Sequence, residues 1–170
     1  MNPKLAYKFC PKCGGIIDLK RDNLLVCKAC GFEFFINAIP CNGVIIENER
    51  GEIMLVKRKF PPMKGDWDWP GGFLDAGESV NHSIVREIKE ELNVNVSVEK
   101  IIGVYEGRYE FGGILQYVIC IVVSAKIVSG KIKVSDDVEE YKFFLPEEIL
   151  RMDLAFKFIR RGIADYFKNP

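Results

Sequence analysis

A chain of 170 residues holds one enzyme-sized domain and a small accessory one, and is too short for two full domains. Its 24 basic and 24 acidic side chains cancel, which speaks against a whole-surface polyanion binder and makes nucleic acid an unexpected partner. No apolar run approaches the roughly 20 residues of a membrane-spanning helix, and Met1 to Phe9 lacks the apolar core of a secretory signal, so a cytoplasmic protein without a membrane partner is expected.

The first feature along the chain is a pair of matching knuckles, Cys10-Pro-Lys-Cys13-Gly14-Gly15 and Cys27-Lys-Ala-Cys30-Gly31, with 13 residues between Cys13 and Cys27. In each, a glycine after the second cysteine lets the backbone curl so that amide N–H groups face the sulfurs. Two knuckles make a closed four-sulfur site suited to structural Zn²⁺, with no open position for catalysis. The alternatives are two disulfides or a redox Cys-x-x-Cys, and duplication at ribbon spacing favours zinc. Ile16 to Val26 is expected to form a hairpin turning at Arg21-Asp22-Asn23. About 36 residues cannot bury a sufficient core, so the metal would hold the module folded. The zinc ribbon is placed at residues 1–36 and a second domain at 37–170.

Cys41 to Glu47 and Ile53 to Arg58 read as strands around the turn Asn48-Glu49-Arg50-Gly51. Cys41 and Cys120 sit in apolar strands and read as small core residues. A Pro/Gly-rich loop, Phe60 to Gly72, enters a third short strand. Ser79 is a helix N-cap, and Val80, Ile84, Val85, Ile88 and Leu92 follow at helical spacing. Val94 to Tyr105, Leu115 to Val128 and Glu139 to Phe144 are further strands. Pro146 opens a helical turn, and Leu154 to Phe167 closes the chain as an amphipathic helix. Strands flanking helices without regular alternation suggest an α/β sandwich with a mixed sheet.

The chemistry concentrates in Gly71 to Val94, GGFLDAGESVNHSIVREIKEELNV. On a helical wheel the apolar residues cover an arc of roughly 140°, and Glu87, Glu90 and Glu91 share an adjacent arc of about 100°. Like charges at i,i+3 and i,i+4 destabilise a helix unless a cation lies between them. A solvated acidic face is the alternative for REIKEEL alone. The glycines after Trp69-Pro70 change the balance, because they let a carbonyl oxygen approach those carboxylates. Hard oxygen ligands of this kind suit Mg²⁺ or Mn²⁺ with phosphate oxygens completing the shell.

The segment resembles the Nudix box, G-x5-E-x7-R-E-U-x-E-E-x-G-U with U apolar: Gly72, Glu78, Arg86, Glu87, Ile88, Glu90, Glu91 and Val94 fall in register. Asn93 stands where the family has glycine, and asparagine is the next best residue for a left-handed helix cap. A ribbon directly before such a domain is similar to NADH pyrophosphatases and to ribbon-bearing enzymes acting on ADP-ribose or FAD. Gly65-Asp66-Trp67 and Leu154-Ala155-Phe156 also fit these relatives.

The resemblance implies the Nudix α/β/α sandwich with a mixed sheet. It implies metal-dependent hydrolysis of a nucleoside diphosphate linked to another group, with ADP-ribose, FAD or NADH as small-molecule substrate and AMP released. Glu87, Glu90 and Glu91 would bind Mg²⁺ or Mn²⁺ with the Gly71 carbonyl. Arg86 would orient a glutamate, and Glu78 would stand behind the ligands. Glu140, or its neighbour Glu139, is the candidate base outside the box. Gly103 to Gly113 lacks the tryptophan- and proline-rich signature of NADH pyrophosphatases, which favours ADP-ribose or FAD over NADH.

His82 falls at roughly 200° on the wheel and reads as solvated. Lys57, Arg58 and Lys64 are candidate phosphate contacts, with a solvated loop as the alternative. Trp67, Tyr105, Phe111 and Tyr117 are candidate base-stacking rings, with core packing as the commoner role. Trp69, where relatives carry an aliphatic residue, is expected to reshape the pocket floor. Hydrolysis of oxidised nucleoside triphosphates and binding without hydrolysis stay open as alternatives, as does a homodimer.

Overall fold

The computed structural model describes residues 6–135 and 137–168; part of the Met1 to Phe9 stretch therefore lies outside the described residues. Among the described residues, these elements follow in chain order: β1 (Ile17–Leu19), β2 (Leu24–Cys27), β3 (Glu33–Phe35), β4 (Ile39–Ile45), β5 (Ile53–Arg58), β6 (Trp67–Asp68), α1 (Val80–Leu92), β7 (Asn95–Phe111), β8 (Ile114–Ser129), β9 (Val138–Phe144), α2 (Pro146–Ile149) and α3 (Lys157–Lys168). The chain divides into two compact units, one comprising Met1–Ile39 with Arg108–Val118, the other Pro40–Gly107 with Ile119–Pro170.

In the first unit the expected hairpin forms from β1 and β2, and β3 adds a third antiparallel strand pairing Leu25 with Phe34. The core is small: Cys10, Ile17, Leu25 and Cys27, flanked by Phe32, Phe34 and Ile36. Four buried residues, two of them cysteines, are too few to hold such a module without a cross-link or metal.

The second unit is built on the strand orders β4-β8-β7 and β6-β5-β9. Both faces of β4 and β5 are covered, so these strands read as apolar runs and not as alternations. One face carries Val44, Ile46, Met54, Val56, Val123 and Ala125, packed against Ile84, Ile88 and Leu92 of α1. Across the sheet, Ile159 and Ile163 of α3 are fully buried, and the Trp69 ring packs on Phe158 at 5.7 Å. β5 runs antiparallel to both neighbours, and a parallel bridge joins Trp67 to Leu154, so the strand pairing is mixed. That bridge delays the last helix, which starts at Lys157 and not at Leu154. β7 continues to Phe111, past the expected Tyr105, because the next turn residues are Gly112-Gly113.

Helix α1 is bounded as its sequence predicts. Ser79 accepts the His82 N–H at 3.2 Å, and Asn93 adopts φ +57° with its N–H donating to the Lys89 carbonyl. Beyond it, Lys133 and Ser135 donate their N–H groups to the Leu92 and Glu91 carbonyls at 3.0 Å each. Residues 133–135 thus satisfy helix-end acceptors that would otherwise face water. No helix among the described residues is long and apolar enough to cross a membrane.

Candidate functional site

In the ribbon unit the sulfurs of Cys10, Cys13, Cys27 and Cys30 all lie within 4.8 Å of one another. Two of the edges are 3.8 Å (Cys10 to Cys30) and 3.5 Å (Cys13 to Cys27). A tetrahedron of sulfurs around Zn²⁺ has edges of about 3.8 Å. Gly14 at φ +74° and Gly31 at φ +70° make the knuckle turns, and the Gly15 N–H points at Cys13 Sγ from 3.4 Å. Backbone donors, first that of Cys30, pull the Cys27 thiol down to about 6. The Gly15 amide favours ionisation of Cys13, but the neighbouring Cys30 and Cys27 sulfurs outweigh it and push that thiol up to about 12. Four crowded sulfurs cannot all ionise without a cation among them, and the donor set fits zinc. All six cysteines are free thiols.

In the larger unit, the box residues converge. Arg86 is the hub: its Nε and Nη2 donate to both oxygens of Glu78 at 3.0 and 2.8 Å, its Nη1 to Glu87 at 2.8 Å and to Glu90 at 3.1 Å, and its Nη2 also to the Phe73 carbonyl at 3.2 Å. Bidentate pairing of this kind fixes orientation as well as charge. Glu78, bonded first of all by Arg86, is held down to about 2, and the guanidinium is correspondingly more basic than usual. Glu91 lies outside Arg86's reach. Its Oε2 accepts the Gly71 N–H at 3.0 Å, and burial, then the nearby Asp137, push it well above the usual carboxylate range. Burial raises Glu87 too.

The glycines before the helix are sites of close approach. A Cβ on Gly72 would stand 2.5 Å from the Glu87 carboxyl, and one on Gly71 would stand 2.7 Å from the Asn42 carbonyl. Asn42 is a buried residue that sequence reasoning missed. Its Nδ2 donates to Ser83 Oγ at 2.8 Å, its Oδ1 accepts the Gly72 N–H at 3.4 Å, and its own N–H donates to the Gly72 carbonyl at 2.8 Å. It sutures the glycine turn to both β4 and α1, and a lone asparagine in an apolar strand gave no sign of this in sequence.

Neither Glu139 nor Glu140, the candidates for a base outside the box, lines the cavity beside Glu91. Counting back by twos from helix-facing Phe143 assigns Glu139 to the side of α1, but a bulge at Lys57/Arg58 pairs Arg58 with Val138, and Val138 takes that place. Glu139 is left as the exposed extra residue, and Glu140 points to the opposite face, 3.7 Å from Lys57. Asp137 instead shares a small cavity of about 10 Å³ with Val56, Arg58, Asp68, Trp69, Gly71, Glu91 and Val138. Its carbonyl accepts the Lys59 N–H at 2.8 Å. A loop aspartate beside two acidic strand residues could not be told from them before the bulge was seen.

Other candidates are also displaced. Arg58 is no solvated phosphate hook: its Nη1 pairs with Asp68 at 3.0 Å, its Nε donates to the Pro62 carbonyl at 2.8 Å, and it covers the Phe156 ring. Asp68 is buried, and desolvation pushes it up to about 6 against the pull of Arg58. Trp67 is half-buried and packs edge-on against Phe144 at 4.9 Å, and buried Tyr105 donates its hydroxyl to Asp165 at 3.0 Å, so the Tyr105 ring is not open to a base. Phe111 and Tyr117 are exposed. Trp69 is 4% exposed, its indole wedged where a Cβ on Gly43 or Gly162 would clash, and it lines the cavity wall. His82 is exposed as expected, with its Nδ1 3.5 Å from Glu78.

A profile described as "NUDIX domain" matches residues 40–166. The ADP-ribose pyrophosphatase of Methanocaldococcus jannaschii is 38% identical over 109 residues, 63% of this chain and 61% of that protein. The NAD-capped RNA hydrolase NudC of Pseudomonas aeruginosa is 28% identical over 139 residues, 81% of this chain and 47% of that protein. The chain thus spans less than two thirds of the length of both relatives. In three dimensions, a Nudix hydrolase from Nitrosomonas europaea is similar over 96% of this chain and 94% of its own, with a TM-score of 0.77 at 24% identity, a likeness of fold.

Proposed function

The chain belongs to the NUDIX domain family, and on that premise we propose that it is a cytoplasmic pyrophosphohydrolase that cleaves the diphosphate of a nucleoside diphosphate linked to a second organic group, ADP-ribose before FAD or NADH. The observation that carries the reading is the division of labour around one arginine. Arg86 neutralises and orients Glu78, Glu87 and Glu90, while Glu91 is buried outside the reach of Arg86 and bonded by the Gly71 N–H. Burying an acid uncompensated is costly, so the arrangement calls for a cation.

Glu87, Glu90, Glu91 and the Gly71 carbonyl would hold Mg²⁺ or Mn²⁺, with Asp137 in place of Glu139 or Glu140 as the carboxylate from outside the box. Bound there, a divalent cation supplies positive charge to the diphosphate and to the departing phosphate. Arg86 and Glu78 would keep the carboxylates in place, and Asp137 would take the proton of an attacking water. The water oxygen bonds to one phosphorus, the bridging P–O bond breaks, and ADP-ribose yields AMP and ribose 5-phosphate. Residues 1–36 would fold around a structural zinc on Cys10, Cys13, Cys27 and Cys30. Likeness to an ADP-ribose pyrophosphatase supports the choice of substrate.

The test is a product analysis with Mg²⁺ or Mn²⁺ over ADP-ribose, FAD, NADH, diadenosine polyphosphates, nucleotide sugars and oxidised nucleoside triphosphates. AMP from a diphosphate flanked by two organic groups is expected. Preference for an oxidised triphosphate with release of pyrophosphate would refute the substrate class, and tight binding without turnover would refute the activity.

A further inference from the structure

Below the box carboxylates the cavity contains a group that the box does not account for. Asp68 lines it, is 7% exposed, and comes from β6, outside the signature. One carboxylate oxygen, Oδ2, is held by Arg58 at 3.0 Å. The other, Oδ1, is buried and has no hydrogen-bond partner of good geometry, although the Trp69 backbone N–H lies beside the carboxyl. An acceptor left bare in a protein interior is destabilising, so an orphan of this kind marks a missing donor.

Charge makes the same point independently. Asp68, Glu91 and Asp137 all line the cavity, and Arg58 is the cation among the lining residues. Three formal negative charges face one positive charge, and that positive charge is already divided between Asp68 and the Pro62 carbonyl. Asp68 and Glu91 are both more than nine-tenths buried, where water screens little. The volume of about 10 Å³ is near the room that a single water requires.

We propose that Asp68 is a positioning residue for the divalent cation, its free Oδ1 accepting a hydrogen bond from the cation's water shell on the side away from the substrate. Mg²⁺ and Mn²⁺ suit this role because such ions retain several waters when bound by few carboxylates. Arg58 occupies Oδ2, which leaves Oδ1 as the oxygen open to the cavity. The inference rests on reading the box as a divalent-cation site, and adds to it an anchor contributed by β6.

The test measures Mn²⁺ binding to the zinc-loaded chain without substrate, following free Mn²⁺ by electron paramagnetic resonance. Asp68→Asn is expected to weaken Mn²⁺ binding about 10- to 100-fold, with a rise in the Mn²⁺ concentration for half-maximal activity and a smaller change in kcat at saturating Mn²⁺. Arg58→Gln, which removes the competing positive charge, is expected to leave binding equal to wild type or tighter. The Arg58→Gln/Asp68→Asn double variant removes the whole buried pair and keeps the test valid if Asp68→Asn alone does not fold; it is expected to bind as weakly as Asp68→Asn. Unchanged affinity in Asp68→Asn overturns the proposal. So does weakening by Arg58→Gln to the same degree, or wild-type affinity in the double variant, since Asp68 would then serve only to hold Arg58. Wild-type protein that binds no Mn²⁺ would overturn the cation-site reading as well, which separates the two failures.

Discussion

At the scale of single residues, the box works through contacts too short for substitution. Gly72→Ala places a methyl within 2.5 Å of the Glu87 carboxyl, and Glu87 must move. Turnover is expected to fall about 10- to 100-fold while the melting temperature changes little, as measured by steady-state assay beside calorimetry. Glu91→Gln is expected to be more severe, with turnover down by more than about 100-fold at saturating Mg²⁺; near-normal rates would contradict its role as a ligand. Glu78 provides a pH signature. Arg86 holds its carboxyl at about 2, below its ordinary value of 4.5, so the stabilisation it brings is complete above about 4.5 and is lost as pH falls toward about 2. The stability difference between wild type and Glu78→Gln, from urea titrations, should be flat from pH 7 to 5 and shrink from pH 4.5 downward. Glu78 and Arg86 were legible in sequence because their spacing is fixed by one helix and one short loop. Asp137 and Asn42 were not, because their roles arise from strands remote in the chain.

At the scale of elements, α1 is the part that local rules specify best. Ser79 caps it, an apolar stripe seats it and Asn93 closes it. Ser79→Ala is expected to cost about 1 kcal/mol, measured by denaturant unfolding, and to leave the metal ligands in place. The strands were legible in number and approximate extent for a related reason: apolar runs bounded by turn residues mark buried strands. Their pairing was not. Alternation says which residues share a face only while the strand stays regular, and β9 departs from regularity at Glu139. Tyr105 shows the same limit from the other side. An aromatic residue next to a functional loop looks like a stacking platform until its burial is known.

At the scale of the molecule, two kinds of cohesion are combined in one chain. The larger unit holds together through an apolar core on both faces of its sheet, whereas the smaller has a core of four buried residues around its sulfur cluster. Removal of zinc by a strong chelator is therefore expected to unfold the small unit and spare α1. Hydrogen exchange should show loss of protection in β1 to β3 with little change at residues 80–92, and an ordered metal-free ribbon would contradict the assignment. The neutral overall charge was read directly from composition, and the paired cysteines from their spacing.

The bulge between Val138 and Glu140 determines which kinds of change this stretch tolerates. Glu139 is exposed and takes no place in the ladder's alternation, so nearly any side chain can replace it. Deleting it is another matter. The strand from Glu140 onward would keep its partners, but Asp137 would be drawn along β9 by one residue, about 3.3 Å, against its tie to Lys59. At this position the molecule is indifferent to spelling and sensitive to length. Single-codon deletions should abolish activity here while substitutions pass unnoticed.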